Sequence, residues 1–241
     1  GAHIKVSRSD RKSWTMCARY SLTSSPQAVS RAFDCAASDD FPPRYNIAPT
    51  QPVSIVRLDA KGERELRLLR WGLIPSWVKD PRAYGALINA RSETAAGKPS
   101  FRGPMRHRRC LIPATGYYEW TGGRGAKKPH LIKLKDQELF AMAGLWETWL
   151  GGDGSEIETM AILTTEANGD VAPIHERMPV ILERHDYDRW LDCSSGSATG
   201  VLDLLRPLPE GRVTATAVNP KIGDPAAEGP DLHQPPIPTL L

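Results

Sequence analysis

From residue 53 to residue 218 the chain is a succession of short apolar stretches, each cut off by proline, glycine or a charged turn before it reaches helical length. That spacing favours strands over helices. Residues 53–58, a turn at 59–62 and residues 65–71 predict a β-hairpin. Further strands are expected at 20–22, 109–113, 117–120, 130–134, 139–146, 160–164 and 213–218, with an apolar run at 180–182. Helical signals are fewer. Ser25 as N-cap and Pro26 as first residue open a helix to about Ala37, with Val29, Ala32, Phe33 and Ala36 on one face. Short helices are expected at 100–108, interrupted by Gly103 and Pro104, and at 185–191 and 198–205. Residues 41–52 read as a proline-punctuated loop. No internal repeat and no linker divides the chain. The expected fold is a single α+β domain, a curled antiparallel β-sheet with a barrel-like core and peripheral helices. It spans 16–230, with 1–15 as an N-terminal extension or cloning remnant and 231–241 as a C-terminal tail.

Composition narrows the class. A hydrophobic content of 40% and a charged content of 24% are those of a soluble globular protein. No run approaches the roughly 18 apolar residues of a membrane span. Residues 1–15 lack the apolar segment of a secretory signal. Cys17, Cys35, Cys110 and Cys193 are widely spaced and form no CxxC pair. That argues against a zinc site and a disulfide scaffold and fits a reducing cytoplasm. No metal or cofactor is expected, and a monomer is. The net charge of +3 resides in residues 1–15, where Lys5, Arg8, Arg11 and Lys12 outnumber Asp10. Setting those aside, of 31 bases and 28 acids there remain 27 of each, so nucleic acid would have to be bound by a local patch.

Four places carry reactive side chains in apolar or tightly turned settings: Cys17 with Arg19, Asn89 with Arg91, Glu119 beside Trp120, and His175 with Arg177. Each also has a plain structural explanation. A lone cysteine is commonly a small buried hydrophobe, Asn89 can cap a turn, and His175 can be structural. Glu119 is harder to dismiss. On a strand its neighbours Tyr118 and Trp120 face away from it, and a core-facing carboxylate needs a partner or a raised pKa. Cys17 matters most if its amino group is free. An N-terminal cysteine is a 1,2-aminothiol, whose amine condenses with an aldehyde and whose sulfur then closes the imine into a thiazolidine. The amide nitrogen of an internal cysteine cannot do this.

Six motifs occur in one order: Met16-Cys-Ala-Arg-Tyr20, Arg44-Tyr-Asn-Ile-Ala-Pro49, Trp71-Gly-Leu-Ile-Pro-Ser-Trp77, Asn89-Ala-Arg-Ser-Glu-Thr94, Gly116-Tyr-Tyr-Glu-Trp120 and Ile174-His-Glu-Arg-Met-Pro179. Together, from Met16 to about Pro230, the chain resembles the SRAP (SOS response-associated peptidase) family. The resemblance implies recognition of abasic sites in single-stranded DNA, with covalent capture of the ring-opened sugar by an N-terminal cysteine. The bound lesion is thereby shielded during the DNA damage response, and a bacterial cytoplasmic protein would meet it at the nucleoid. Cys17 is then the nucleophile, once Met16 and what precedes it are removed. Asn89 holds the amino end and the sugar, Glu119 is the acid/base carboxylate, and His175 helps open the sugar and handle protons. Arg19, Arg91 and Arg177 correspond to phosphate-gripping arginines. Trp77 and Trp120 are candidates to stack on bases, Asn46 and Pro49 to line the pocket, and Thr164 to lie near the site. Arg106 to Arg109 would extend the phosphate track. A cationic Arg19 or Arg91 beside the thiol would favour thiolate. The family usually has glycine where this chain has Ala18. Two other expectations stand beside this one: a thiol peptidase pairing Cys17 with His175, and a non-covalent single-strand binding module.

Overall fold

The computed structural model describes residues 17–36, 40–123 and 127–236; the expected extension at 1–15 and Met16 lie outside them. Strand β1 (Tyr20–Leu22) and helix α1 (Pro26–Phe33) come first, followed by β2 (Arg44–Ile47), β3 (Pro52–Leu58) and β4 (Arg64–Trp71). After a long loop come β5 (Asn89–Arg91), α2 (Ser92–Ala95) and α3 (Arg102–His107). The strands β6 (Arg109–Ala114), β7 (Gly116–Thr121), β8 (Lys128–Leu134), β9 (Phe140–Leu150) and β10 (Glu156–Glu166) follow. The chain then forms β11 (Arg177–Pro179), β12 (Ile181–Leu182), α4 (Tyr187–Leu191) and β13 (Val213–Ala217).

The strands form two sheets. One is open, in the order β13-β8-β7-β1-β2. The other curls on itself: β10-β4-β3-β6-β9 is closed by the pairing of β9 with β10, with β5, β11 and β12 attached at its margin. This is the expected α+β domain with its barrel-like core. Most pairings are antiparallel, but β4 and β5 both run parallel to β10, with Arg70 opposite Thr159 and Asn89 opposite Ile162. The excursion between β4 and β5 returns the chain to the same strand in the same direction, which local alternation does not disclose. Trp71 of β4 lies in the core between the sheets. Its ring meets Tyr20 of β1 edge-to-face at 5.4 Å, and its indole N–H donates to the Ile88 carbonyl at 2.9 Å. Gly144 lets β6 close on β9, since a Cβ there would lie 2.6 Å from Ile112 and 2.8 Å from the Cys110 sulfur.

Three local expectations are corrected. Helix α1 opens as predicted, with Ser25 Oγ accepting from the Ala28 N–H at 3.2 Å. It ends at Phe33 rather than near Ala37, because Asp34 turns into the left-handed region (φ 50°) and its N–H closes on the Ser30 carbonyl. The loop at 41–52 contains strand β2, since its prolines flank Arg44–Ile47 and leave the pairing with β1 intact. Gly103 and Pro104 do not interrupt α3. They occupy its first turn, where proline lacks only a donor the helix does not use.

Candidate active site

Cys17 lies just ahead of β1, separated from it by Ala18 and Arg19, and β1 lies antiparallel along β7, with Tyr20 opposite Tyr117 and the Tyr118 N–H bonded to the Arg19 carbonyl. That register brings Cys17 against Glu119. One oxygen, Glu119 Oε1, accepts from the backbone N–H of Cys17 at 2.9 Å and from its Sγ at 3.1 Å. Both residues are 2% exposed. Alternation along β7 explains how the carboxylate comes to be there: Tyr117 and Glu119 face the barrel, while Tyr118 and Trp120 face a second apolar cluster with Leu131, Val218, Ile222 and Leu232. Burial pushes the Glu119 carboxyl up, and His175 and the Cys17 hydrogen bonds pull it back. Burial, reinforced by Glu119, holds the Cys17 thiol far above the usual thiol range. The cation that offsets this is Arg177. The expectation that Arg19 or Arg91 supports a thiolate is therefore corrected: the resting thiol keeps its proton. Cys17 also has a backbone φ of 37°, unusual for a side chain with a Cβ.

The other wall comes from the barrel. β5 and β11 flank the same end of β10 on opposite edges, so Thr164 lies beside Arg91 on one side and Pro179 on the other. Arg177 is buried. Its guanidinium makes two parallel bonds to Glu93, at 2.5 and 2.9 Å, and donates to the Thr164 carbonyl at 2.8 Å and hydroxyl at 3.2 Å. His175 is half-buried, and its Nδ1 accepts the Arg177 N–H at 3.1 Å. That bond leaves Nε2 as the nitrogen that carries the proton in the neutral ring. Asn89 begins β5, half-buried, and Arg91 ends it, exposed.

The remaining sequence candidates are dispersed. Arg19 turns away from the thiol, with its guanidinium donating to Asn46 Oδ1 (3.1 Å) and to the Ile222 (2.6 Å) and Gly223 (3.3 Å) carbonyls. Asn46 is buried and completes its own bonding by donating to the Asp224 and Ala227 carbonyls. Pro49 is half-buried at the end of that segment. Trp120 lies on the face of β7 opposite Glu119. Trp77 is 59% exposed, its ring edge-to-face with Tyr84, and it lines a cleft of about 420 Å³ with Arg102, Arg106, His107 and Arg108. Arg109 is not part of any surface track. It is buried and donates to the carbonyls of Met105, Trp190 and Asp192. Sequence reasoning overlooked Tyr117, whose buried hydroxyl has no hydrogen-bond partner among the described residues, and Glu93. The period of β7 put Tyr117 on the same face as Glu119, so it could have been found; nothing local marked the partner of Glu93. Among the described residues no cluster of three His, Cys, Asp or Glu side chains could hold a metal ion, and no helix is long and apolar enough to cross a membrane.

Comparison with known proteins shows the family and the fold of the chain. Residues 16–225 match the family described as SOS response associated peptidase (SRAP). The abasic site processing protein YoqW of Bacillus subtilis is 38% identical over 221 residues, covering 90% of this chain and 98% of that protein. The abasic site processing protein HMCES of Gallus gallus is 35% identical over 198 residues, covering 69% of this chain and 59% of its own length. A crystal structure of a Bacteroides thetaiotaomicron protein superposes with a TM-score of 0.81 at 29% identity, covering 92% of this chain and all of that one.

Proposed function

Since the chain belongs to the SRAP family, we propose that it captures abasic sites in single-stranded DNA as a covalent thiazolidine on Cys17. The observation that carries this is the shared contact of Glu119 Oε1 with both the nitrogen and the sulfur of Cys17. Those are the two atoms that become bonded to the sugar aldehyde carbon. In the reaction the α-amine, with an ordinary pKa of about 8, adds to the aldehyde to give a carbinolamine. A carboxyl group whose pKa is raised donates a proton to the departing water, leaving the imine. The sulfur then adds to the imine carbon. Glu119, a carboxylate after that donation, takes the thiol proton, and the imine nitrogen regains the proton it released as water left, so the ring closes with loss of a single water overall. His175 assists ring opening of the sugar through Nε2, the ring nitrogen not engaged by the Arg177 N–H. Asn89 holds the amino end and the exposed Arg91 faces the backbone phosphates, while Arg177, expected from the sequence to grip a phosphate, is instead buried with its guanidinium taken up by Glu93 and Thr164 and shapes the wall of the site. Trp77 and its basic cleft continue the strand, and Arg19, Asn46, Pro49 and Trp120 support the site from the outer face. The protein acts as a monomer, in the bacterial cytoplasm and at the nucleoid when bound.

The chemistry needs a free amine at residue 17, so residues 1–16 must be removed. The positive φ of Cys17 supports this. A non-glycine residue in that region carries about 1–3 kcal/mol of strain, and the torsion exists only while a peptide bond precedes the residue. A thiol peptidase acting on separate proteins receives less support, because burial, reinforced by Glu119, holds the thiol protonated and His175 Nδ1 is engaged by the Arg177 N–H. The test is a denaturing gel shift with an abasic-site oligonucleotide, using protein that starts at Cys17 beside the chain as given. A heat-stable adduct from the Cys17-start form alone is the expected result. An adduct from both, with mass spectrometry locating a cut before Cys17, means the chain processes itself. No adduct from either form overturns the proposal.

A further inference from the structure

Resting on that abasic-site reading, we propose that Glu93 is the positioning residue of the site, a latch that acts through Arg177 to hold β5 and β11 in fixed relation across β10. The topology makes such a latch necessary. β5 and β11 are three residues each, do not pair with one another, and depend on the same end of β10 for their backbone bonds. Strands this short are held by few hydrogen bonds and open readily. Yet the site needs Asn89 and Arg91 from one and Arg177, with the neighbouring His175, from the other.

Glu93 spans that gap. It follows β5 on α2 and binds Arg177 of β11 through both carboxylate oxygens, at 2.5 and 2.9 Å. The Arg177 guanidinium rests in turn on the carbonyl and hydroxyl of Thr164, the β10 residue directly opposite Arg91. The pair thus joins β11 and β10 directly and reaches β5 through α2, which follows it without a break. Bidentate carboxylate–guanidinium geometry fixes orientation as well as distance. Burial is asymmetric: the Arg177 side chain is 8% exposed and that of Glu93 50%. A buried guanidinium that lost its carboxylate would be left uncompensated beside Cys17 and would move. The hydrogen bonds from Arg177 hold the Glu93 carboxyl below the usual range, so the latch is charged at neutral pH.

The experiment compares Glu93→Gln, Arg177→Lys and the double variant in protein starting at Cys17. Adduct formation is followed in single turnover at saturating abasic oligonucleotide. Affinity is measured separately with an oligonucleotide carrying a tetrahydrofuran abasic analogue, which has no aldehyde. Glu93→Gln should slow adduct formation roughly tenfold or more through misplacement of reacting groups, with the analogue bound as tightly as by the parent. The double variant should be no slower than Arg177→Lys alone, because Glu93 acts through Arg177. An unchanged rate for Glu93→Gln, or losses that multiply in the double variant, overturns the proposal. Amide hydrogen exchange supplies a readout independent of DNA. Glu93→Gln should speed exchange at Ala90, Arg91, Arg177 and Met178 together; unchanged exchange there overturns the latch. If the parent protein forms no adduct, the abasic-site reading fails, and exchange alone decides the latch.

Discussion

The two faces of β7 carry alternate residues of one six-residue strand and are built on opposite principles. Toward the barrel, Tyr117 has a buried hydroxyl without a partner among the described residues, and Glu119 shares one oxygen between two atoms of Cys17. On the outer face the buried polar groups find partners. Tyr118 donates to the Tyr45 carbonyl at 2.6 Å and its oxygen lies 2.7 Å from His233 Nε2. Arg19 and Asn46 bind four carbonyls of residues 222–227 between them, and Glu228 accepts from the N–H groups of Tyr45 and Asn46. Buried polar groups are ordinarily bonded to completion. The face that meets this rule fastens the C-terminal segment, and the face that breaks it holds the candidate nucleophile. Under-bonding leaves capacity for a substrate; partnered groups leave less.

The largest expected effect separates the faces directly. Glu119→Gln keeps an acceptor for Cys17 but cannot exchange a proton, so adduct formation should fall about 10²–10⁴-fold. Its melting temperature should hold or rise, because a buried carboxyl is removed. Tyr118→Phe, one residue away, should cost about 1–3 kcal/mol of stability by leaving buried acceptors unpaired and leave the rate intact. Paired rate and melting measurements on both variants check this. Equal slowing by the two would mean the faces are not functionally distinct.

The tryptophans extend the contrast. Trp77→Ala should weaken single-strand binding by about 1–3 kcal/mol, the worth of one stacked base, with little change in melting, since the ring is largely exposed. Trp120→Ala should do the reverse, costing about 2–4 kcal/mol of stability, somewhat below a full-burial loss, because its ring packs under the outer cluster. Titrations of an undamaged oligonucleotide beside thermal melts decide between them. Weaker binding by Trp120→Ala at unchanged melting temperature would return the outer face to the DNA.

These contrasts mark what was legible beforehand. Glu119 stood out because Tyr118 and Trp120 bracket it on a strand, and period-two alternation is local. The hairpin β3–β4 was legible for the same reason. The fate of Arg19 and Asn46 was not, because their partners lie near residue 224, some two hundred positions away from Arg19 and closed by folding alone. Cys17 with Arg19 looked like a nucleophile beside its activating cation, but Cys17 leaves the extended conformation (φ 37°) and the carbonyls of the C-terminal segment draw the guanidinium elsewhere. Glu93 was invisible for a related reason: only β10, lying between β5 and β11, makes it a neighbour of Arg177. Replacing Asn46 by Ala tests this lesson, with an expected loss of about 1–3 kcal/mol of stability and an unaltered saturating rate of adduct formation.

The smallest expected effect is a difference in sign between the two faces as pH changes. Glu119 has a folded pKa raised above its ordinary 4.5. Between those values the native state holds a proton the unfolded chain has lost, so stability falls as pH rises through that window. His233 behaves oppositely. Burial pushes it down from 6.5 to about 4, with Lys133 assisting and Glu228 opposing. Between pH 6.5 and about 4 the unfolded chain takes up a proton the native state refuses, so stability falls as pH drops. Melting curves from pH 4 upward should therefore show Glu119→Gln losing the decline on the alkaline side of 4.5. His233→Gln should lose the decline on the acid side of 6.5. Since each variant removes one slope and keeps the other, their sum should be flatter than either. If both variants flatten the same limb, the two faces of β7 are electrostatically one site, and the division between a reactive and a fastening side does not hold.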